Sequence, residues 1–384
     1  MSTSAIISGV HATQVGQLEG SSCLSLHDEA AVAAISDAGL KPEDIDGVIC
    51  AYSLTEPHLM LASWFSEFFG LSPNVCYAIQ AGGATGAVMV SQAAALVENG
   101  TCQHVLVVAG DNRLTGLSRD GAVYALSQVG HAQFERPYGM SVPSAYALVA
   151  SRYMHEYNVE SSQLAAIAVT MREHAARNPG AHRRESLSIK DVLNSPMISS
   201  PLRRLDCSLI SDGAGALVVS TGRARSDLPN KAVKIVSSGQ GHTHEHIIAA
   251  PSLTDFGCKQ SSEQAFGKAG ILASDIDIAQ IYDSFTITLL VELESIGFFE
   301  RGEAGAAIAN GALKLDGRLP CNTHGGLLSH GHPGAAGGVF HTIEAVTQLR
   351  HKGIGRQVNN PELAFVHGDG GILSAHCSLI LARD

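Results

Sequence analysis

The sequence predicts an α/β fold built from two halves of one topology. Three observations carry this. AGLKPEDID (38–46) returns as AGILASDID (269–277), and an apolar stretch follows each copy, GVICAYS and then IAQIYDS. VLVVAGD (105–111) returns as LAFVHGD (363–369). Between these strands each half carries a glycine-rich turn and a helix, AGGATGAVMVSQAAALVENG in the first and GGLLSHGHPGAAGGVFHTIEAVTQLR in the second.

Each copy of the first pair reads as a helix end with a glycine stop, a turn and a buried strand. Each copy of the second reads as an apolar strand running into a glycine turn. Near-continuous apolar strands alternating with helices imply mixed or parallel sheets covered on both faces. An insertion at 115–206 interrupts the first half. Its segment FERPYGMSVPSAYALVASRYMHEY reads as a helix after a proline-bearing turn. REHAARNPGAHRRES (172–186) is basic in an acidic chain, which suits a solvated face or a seat for a phosphate-bearing ligand. LDCSLISDGAGALVVS brings the chain back to a strand, and TGRARSDLPN (221–230) reads as a linker. The expected halves are therefore 1–222 and 223–384.

Hydrophobic residues make up 45% of the 384 and charged ones 16%, which fits a well-buried chain of one large or two medium domains. The formal net charge is -11 with no basic run, so neither nucleic acid nor an anionic membrane is an expected partner. No apolar stretch is long enough to span a bilayer, and MSTSAIISGVHATQVG lacks the form of a secretory signal. The eight cysteines form no CxxC pair, so zinc and a disulfide framework are not expected and a reducing cytoplasm is.

Four motifs resemble the thiolase superfamily. GHPGAAG (331–337) is similar to its histidine loop, and YDSFT (282–286) stands at its Asn-Glu-Ala-Phe position. SDGAGALVV (211–219) resembles the strand closing the first half, and GDGG (368–371) the C-terminal catalytic loop. RYMHEY, ARNP and PCNTHGG place the resemblance in the sterol-carrier-protein-x branch. It implies a duplicated, five-layered α-β-α-β-α thiolase fold with a loop insertion in its first half. It also implies an acyl-CoA substrate, with coenzyme A as part of that substrate and no permanently bound cofactor. A homodimer is expected, as is a partner joining a zinc ribbon to an OB fold.

The departures from the family pattern bear on chemistry. Where thiolases place the nucleophilic cysteine, this chain reads AGGATGA (81–87), so the position is Ala81, which cannot form an acyl-enzyme. Cys76 reads as a small buried strand residue, or as a replacement nucleophile. His367 aligns with the C-terminal acid/base cysteine, and reads as a proton carrier or a hydrogen-bonded core histidine. Tyr282 stands where the family holds an oxyanion-hole water. In thiolase-like aldolases a tyrosine there is catalytic; a strand-end core tyrosine is the plainer reading. Those aldolases carry a second tyrosine two residues before the loop histidine, and here that position is His330. His332 keeps the family place and is expected to bind the thioester carbonyl. Gly82, Gly83, Gly331, Gly370 and Gly371 are expected to bring backbone close to the substrate.

Two further clusters bear on metal binding and ion pairing. GHTHEH (241–246) lacks the spacing of a helical HExxH zinc site, so no metal site is expected there. Asp111 and Arg113 in GDNRL read as an ion pair at a dimer surface. The functional expectation is an enzyme that makes or breaks a C–C bond in an acyl-CoA without an acyl-cysteine, most simply an aldolase. The alternatives are an acyl-CoA C-acyltransferase using another cysteine, and a non-catalytic subunit of a complex. The substrate pocket is expected between the insertion and loops near 241–255.

Overall fold

The computed structural model describes residues 4–222 and 228–384. Half of the expected linker (223–227), and with it the expected boundary between 222 and 223, therefore lies outside the described residues. The first half runs β1 (Ala5–Ala12), α1 (Cys23–Asp37), β2 (Gly47–Ala51), α2 (Leu61–Phe69), β3 (Val75–Ile79), α3 (Thr85–Glu98) and β4 (His104–Asn112). The insertion supplies α4 (Arg113–Gly116), α5 (Arg119–Ser127), α6 (Val142–Tyr157), α7 (Ser161–Ala176), α8 (Ile189–Asn194) and a small hairpin, β5 (Met197–Ser199) with β6 (Leu202–Arg203). β7 (Asp212–Thr221) closes the half. The second half runs β8 (Val233–His242), α9 (Cys258–Ala269), β9 (Ile278–Ile281), α10 (Thr286–Ser295), α11 (Ala304–Ala309), a π-helical turn Gly326–His330, α12 (Ala336–Leu349), β10 (Leu363–Gly370) and β11 (Ala375–Arg383).

The strands form one sheet in the order β3-β2-β4-β7-β1-β8-β11-β10-β9. The two halves meet where β1 pairs antiparallel with β8, Ile7 opposite Val233. The duplication is visible in that order, since each half places its first strand at the seam and its helix-connected parallel strands outward. Among the described residues the second half shows no full counterpart of β3; a parallel bridge between Ala279 and Cys321 stands beside β9.

Alternation along the strands builds the layers. Val48, Cys50, Leu106 and Val218 pack with α1 and α2. Their neighbours Ile49, Val105, Val107 and Val219 face the other way and share one core with α3, α12, Ile278, Val366 and Leu379 of the second half. Ala279, Ile281, Phe365 and Ile380 face outward again, onto α10 and the helices of the insertion. The result is five layers, α-β-α-β-α, with α3 and α12 in the middle. Strands buried on both faces explain why they read as unbroken apolar runs.

One expectation is corrected in detail. The glycines of VLVVAGD and LAFVHGD do not end their strands, because β4 runs on to Asn112 and β10 to Gly370. At Gly110 a side chain would run into Ala214 of the neighbouring β7, so glycine here serves close strand approach rather than a turn. The insertion packs largely on the second half: Tyr153 of α6 hydrogen-bonds Glu294 of α10, and α7 lies against the π-turn. The basic stretch divides in the same way. Arg172 is buried and donates to Ser329 Oγ at 3.0 Å, while Arg183 and Arg184 are exposed. No helix among the described residues is long and apolar enough to cross a membrane.

Candidate active site

The middle helices α3 and α12 begin side by side. A side chain at Gly86 would overlap the backbone of Gly338, and one at Gly338 the carbonyl of Gly83. Small residues at both helix starts therefore bring two N-termini, each with unpaired N–H groups and a positive dipole end, to one place. The ends of β9 and β10 arrive at the same point. Tyr282 N–H donates to the His367 carbonyl at 3.1 Å, which fixes the residue just beyond β9.

The phenol of Tyr282 lies over Gly83, where any side chain would overlap both its ring and the carbonyl of Asp369. Its oxygen stands 3.2 Å from Nε2 of His332, with the rings edge to face. His332 is only half-buried, and Ser211 Oγ accepts its backbone N–H at 3.3 Å. Burial raises the Tyr282 pKa well above its usual value, and the nearby Tyr52 and Asp369 add to this. Burial and then the charge of Arg113 push His332 down to about 3. At neutral pH the phenol is therefore protonated and the imidazole uncharged, and in the tautomer with the ring proton on Nδ1 the phenol donates to Nε2.

The other two candidate histidines lie elsewhere. Side chains alternate along β10, and Gly368 and Gly370 face Ala84 and Ala81 at the start of α3. His367 therefore points to the opposite face, where Nδ1 meets Ser378 Oγ at 2.9 Å and Nε2 meets His376 Nδ1 at 3.1 Å. His330 is held in the π-turn, with Nδ1 3.2 Å from Asn178 Nδ2 and its ring beside His324 and Phe340. It lines a cleft of about 310 Å³ with Asn178, His324 and Arg350. Among the described residues no hydrogen bond or ring contact joins His330 or the His367 side chain to Tyr282 or His332. The rings of His324 and His341 lie between His330 and Tyr282.

The five glycines singled out for substrate contact all have packing reasons. Gly82 (φ +56°) and Gly370 press against each other and Ala81, and Gly83 accommodates the Tyr282 phenol. Gly331 (φ +148°) passes Val15 and Ser211, and Gly371 (φ +69°) passes Ser374. They are the contact between the two halves' loops. Ala81 lines a cleft of about 390 Å³ with Val88, Gly241, His242, Gln260 and His376, and no residue of the insertion lines it. The insertion is instead engaged with α10.

Several site residues had no clear signal in the sequence. Tyr52 follows β2 just as Asp283 follows β9, in the matched stretches GVICAYS and IAQIYDS, and its charge state bears on Tyr282. Arg113 is buried with Nε unpartnered, and it is not ion-paired to Asp111 as expected. The Asp111 carboxylate is instead taken by Ser53 Oγ at 3.0 Å, Leu54 N–H at 2.7 Å and Thr55 Oγ1. Asp283 accepts from Leu327 N–H at 2.7 Å, and Asn322 bonds both backbone groups of Ile281. These two side chains clamp the histidine loop to β9. Tyr146 of α6 donates to Asp369 Oδ2 at 2.8 Å, tying the insertion to the glycine turn.

All eight cysteines are free thiols. Cys76 lies beside Ser66 Oγ at 3.4 Å on edge strand β3. Burial pushes Cys377 up to about 12 and Cys321 well above the usual range, so both stay thiols at neutral pH. In GHTHEH, His244 is fastened to Thr243 Oγ1 and the Ile372 carbonyl, while His242 is exposed.

Comparison with known proteins agrees with this architecture. Residues 4–223 match the thiolase N-terminal domain, and residues 239–383 the thiolase C-terminal domain-like family. A steroid side-chain-cleaving aldolase of Thermomonospora curvata is 37% identical over 377 residues, covering 93% of this chain and 92% of that protein. An acetyl-CoA acetyltransferase of Methanothermobacter thermautotrophicus is 30% identical over 382 residues, covering 96% and 97%. The solved Ltp2-ChsH2(DUF35) aldolase superposes with a TM-score of 0.88 at 32% identity, over 99% of this chain and 98% of that one. The chain belongs to the thiolase superfamily, in the branch that holds the sterol-carrier-type thiolases and the thiolase-fold aldolases.

Proposed function

We propose that this chain is a thiolase-fold aldolase that cleaves or forms the Cα–Cβ bond of a 3-hydroxyacyl-CoA without an acyl-cysteine. The observation that carries this reading is the neutral Tyr282–His332 pair, whose phenol lies over Gly83 in the loop that opens α3, a loop without a cysteine. In the cleavage direction the substrate hydroxyl gives its proton to the Tyr282 oxygen as the phenol's proton passes to His332 Nε2. The electron pair that the departing proton leaves on the oxygen forms the new carbonyl π bond, the Cα–Cβ bond breaks, and its electron pair becomes the thioester enolate. The imidazolium so formed, the buried Arg113 and the two helix N-termini favour that negative charge. The enolate carbon then takes the proton back from His332 by way of Tyr282. A 3-hydroxyacyl-CoA becomes an aldehyde or ketone and a shortened acyl-CoA, with every proton accounted for.

The aldolase relatives suggest a bulky, steroid-like acyl chain, and the name of the superposed complex suggests a DUF35-type partner that completes the site. Such a partner fits the expected zinc-ribbon and OB-fold chain. The half-buried edge strand β3 is the surface we assign to a homodimer. A conventional acyltransferase is the second reading, favoured by the acetyltransferase relative. The deciding experiment incubates the purified chain, alone and with a DUF35 partner, with 3-hydroxyacyl-CoA thioesters. Mass spectrometry should find a carbonyl fragment and a shortened acyl-CoA in equal amounts, and no acylated cysteine. Acyl transfer between CoA thioesters with a labelled thiol would overturn the aldolase assignment in favour of the second reading.

A further inference from the structure

Glu292 of α10, His367 of β10 and His376 of β11 converge behind the glycine turn, on the face of the sheet away from the start of α3. All three side chains are fully enclosed. His367 Nε2 lies 3.1 Å from His376 Nδ1 and 3.5 Å from Glu292 Oε1, and His376 Nδ1 lies 3.8 Å from the same oxygen. A tetrahedral ion with bonds of about 2.1 Å has ligand–ligand edges of roughly 3.4 Å. The triangle of donor atoms matches one face of that tetrahedron.

The surrounding hydrogen bonds fix one ring. Ser261 Oγ donates to the Cys258 carbonyl at 2.9 Å and so accepts from Ser378 Oγ at 2.9 Å. Ser378 must then accept from His367 Nδ1–H at 2.9 Å. That leaves the lone pair of Nε2 directed at the cluster, and orients the ring as metal-bound histidines are oriented. Glu292 carries the electrostatic argument. Among the described residues neither of its oxygens has a hydrogen-bond partner, and no lysine or arginine pairs with it. An enclosed carboxylate with no donor and no counter-charge is among the costliest groups to bury.

We propose that Glu292, His367 and His376 bind one divalent transition-metal ion, zinc by the chemistry of the donor set, and that this ion ties α10 to the β10–β11 hairpin. Two imidazole nitrogens and a carboxylate suit zinc, and the fourth position is open to water. The three ligands come from three elements, so no short sequence spacing announces them. The proposal stands apart from the aldolase reading, because neither Tyr282 nor His332 takes part.

The test uses the full chain, dialysed against chelator and titrated with Co²⁺ and then Zn²⁺. One equivalent of Co²⁺ per chain is expected, with the visible bands of a tetrahedral nitrogen–oxygen site and no sulfur charge-transfer band. One equivalent of Zn²⁺ should displace it and raise the thermal midpoint. Glu292→Gln and His376→Gln should each weaken binding by at least about a hundredfold, since loss of a ligand exceeds the loss of a supporting hydrogen bond. No stoichiometric uptake by the unaltered chain, a thiolate-type spectrum, or an affinity in both variants equal to that of the unaltered chain would overturn the site.

Discussion

The phenolic oxygen of Tyr282 and Nε2 of His332 stand 3.2 Å apart, with their rings meeting at 87°. The pair joins the two motifs in which this chain departs from and keeps the thiolase pattern. A protonated phenol against a neutral imidazole is a proton relay with no net charge, and it can begin a retro-aldol step without a thiolate.

Removing the phenol oxygen tests that relay. Tyr282→Phe keeps the ring over Gly83 and breaks one neutral hydrogen bond, which costs about 1 kcal/mol of stability. Cleavage of the 3-hydroxyacyl-CoA should fall by about 10² to 10⁴ in kcat, the usual worth of a positioned acid–base group. KM should move little. Full activity in this variant would remove Tyr282 from the mechanism.

Gly83→Ala tests the seat of the same ring. A methyl group there overlaps the phenol and the Asp369 carbonyl, neither of which is the loose end of a flexible side chain. Both activity and thermal midpoint should drop, by an overpacking cost of about 1–3 kcal/mol. Gly267→Ala is the control. It lies in α9 with open space around it, so it should be neutral or stabilise by up to about 1 kcal/mol. Equal behaviour of the two variants would mean the phenol does not rest on Gly83.

Much of this was legible in the sequence, and the limits follow from geometry. The internal repeat and the unbroken apolar strands predicted the layers, since a strand buried on both faces has no polar side to display. Tyr282 and His332 were legible because each sits in a motif. The facing of His367 was not, because alignment gives a position on a strand and not which side of the sheet the side chain takes. His330 shows a related limit. It lies two residues from His332, but a π-turn and the φ of +148° at Gly331 separate the two rings. Glu292 left no trace and Arg113 showed only as half of an ion pair it does not form, because their surroundings come from residues far away in the chain.

The enclosed histidines make stability depend on pH. Burial pushes His330, His341 and His367 down to about 3, and holds His324 and His376 low as well. In the unfolded chain these rings titrate near 6.5, so below that pH the unfolded state binds protons that the native state refuses. Their contribution is intact above pH 6.5 and is lost as pH falls. Asp283, Glu292 and Asp369 act in the opposite sense, since burial raises them and their contribution fades as pH rises above about 4. Five histidines against three carboxylates leave a net loss between pH 6.5 and 5, up to about 1.4 kcal/mol per unopposed ring per pH unit. Urea midpoints of chelator-treated protein at pH 5.5 and 4.5 should differ by a clear margin, with the lower value at pH 4.5. Identical midpoints would show that these rings are protonated or hydrated in the native state.

Restoring the lost nucleophile tests what Ala81 means. Ala81 lies just before α3 in the loop that Thr85 closes: Thr85 Oγ1 accepts the Ala81 N–H at 2.9 Å and donates to the Gly82 carbonyl at 2.6 Å. A thiol at this position would face a cleft, near a helix N-terminus that favours the thiolate. Ala81→Cys should therefore gain one acetyl group per chain on exposure to acetyl-CoA, read by intact mass, while the unaltered chain gains none. The variant should also lose cleavage activity, because the acyl group occupies space that the substrate thioester needs. Acetylation of the unaltered chain would place a working nucleophile elsewhere and restore the acyltransferase reading. A silent Ala81→Cys would mean that the loop, and not only the residue, has moved away from thiolase chemistry.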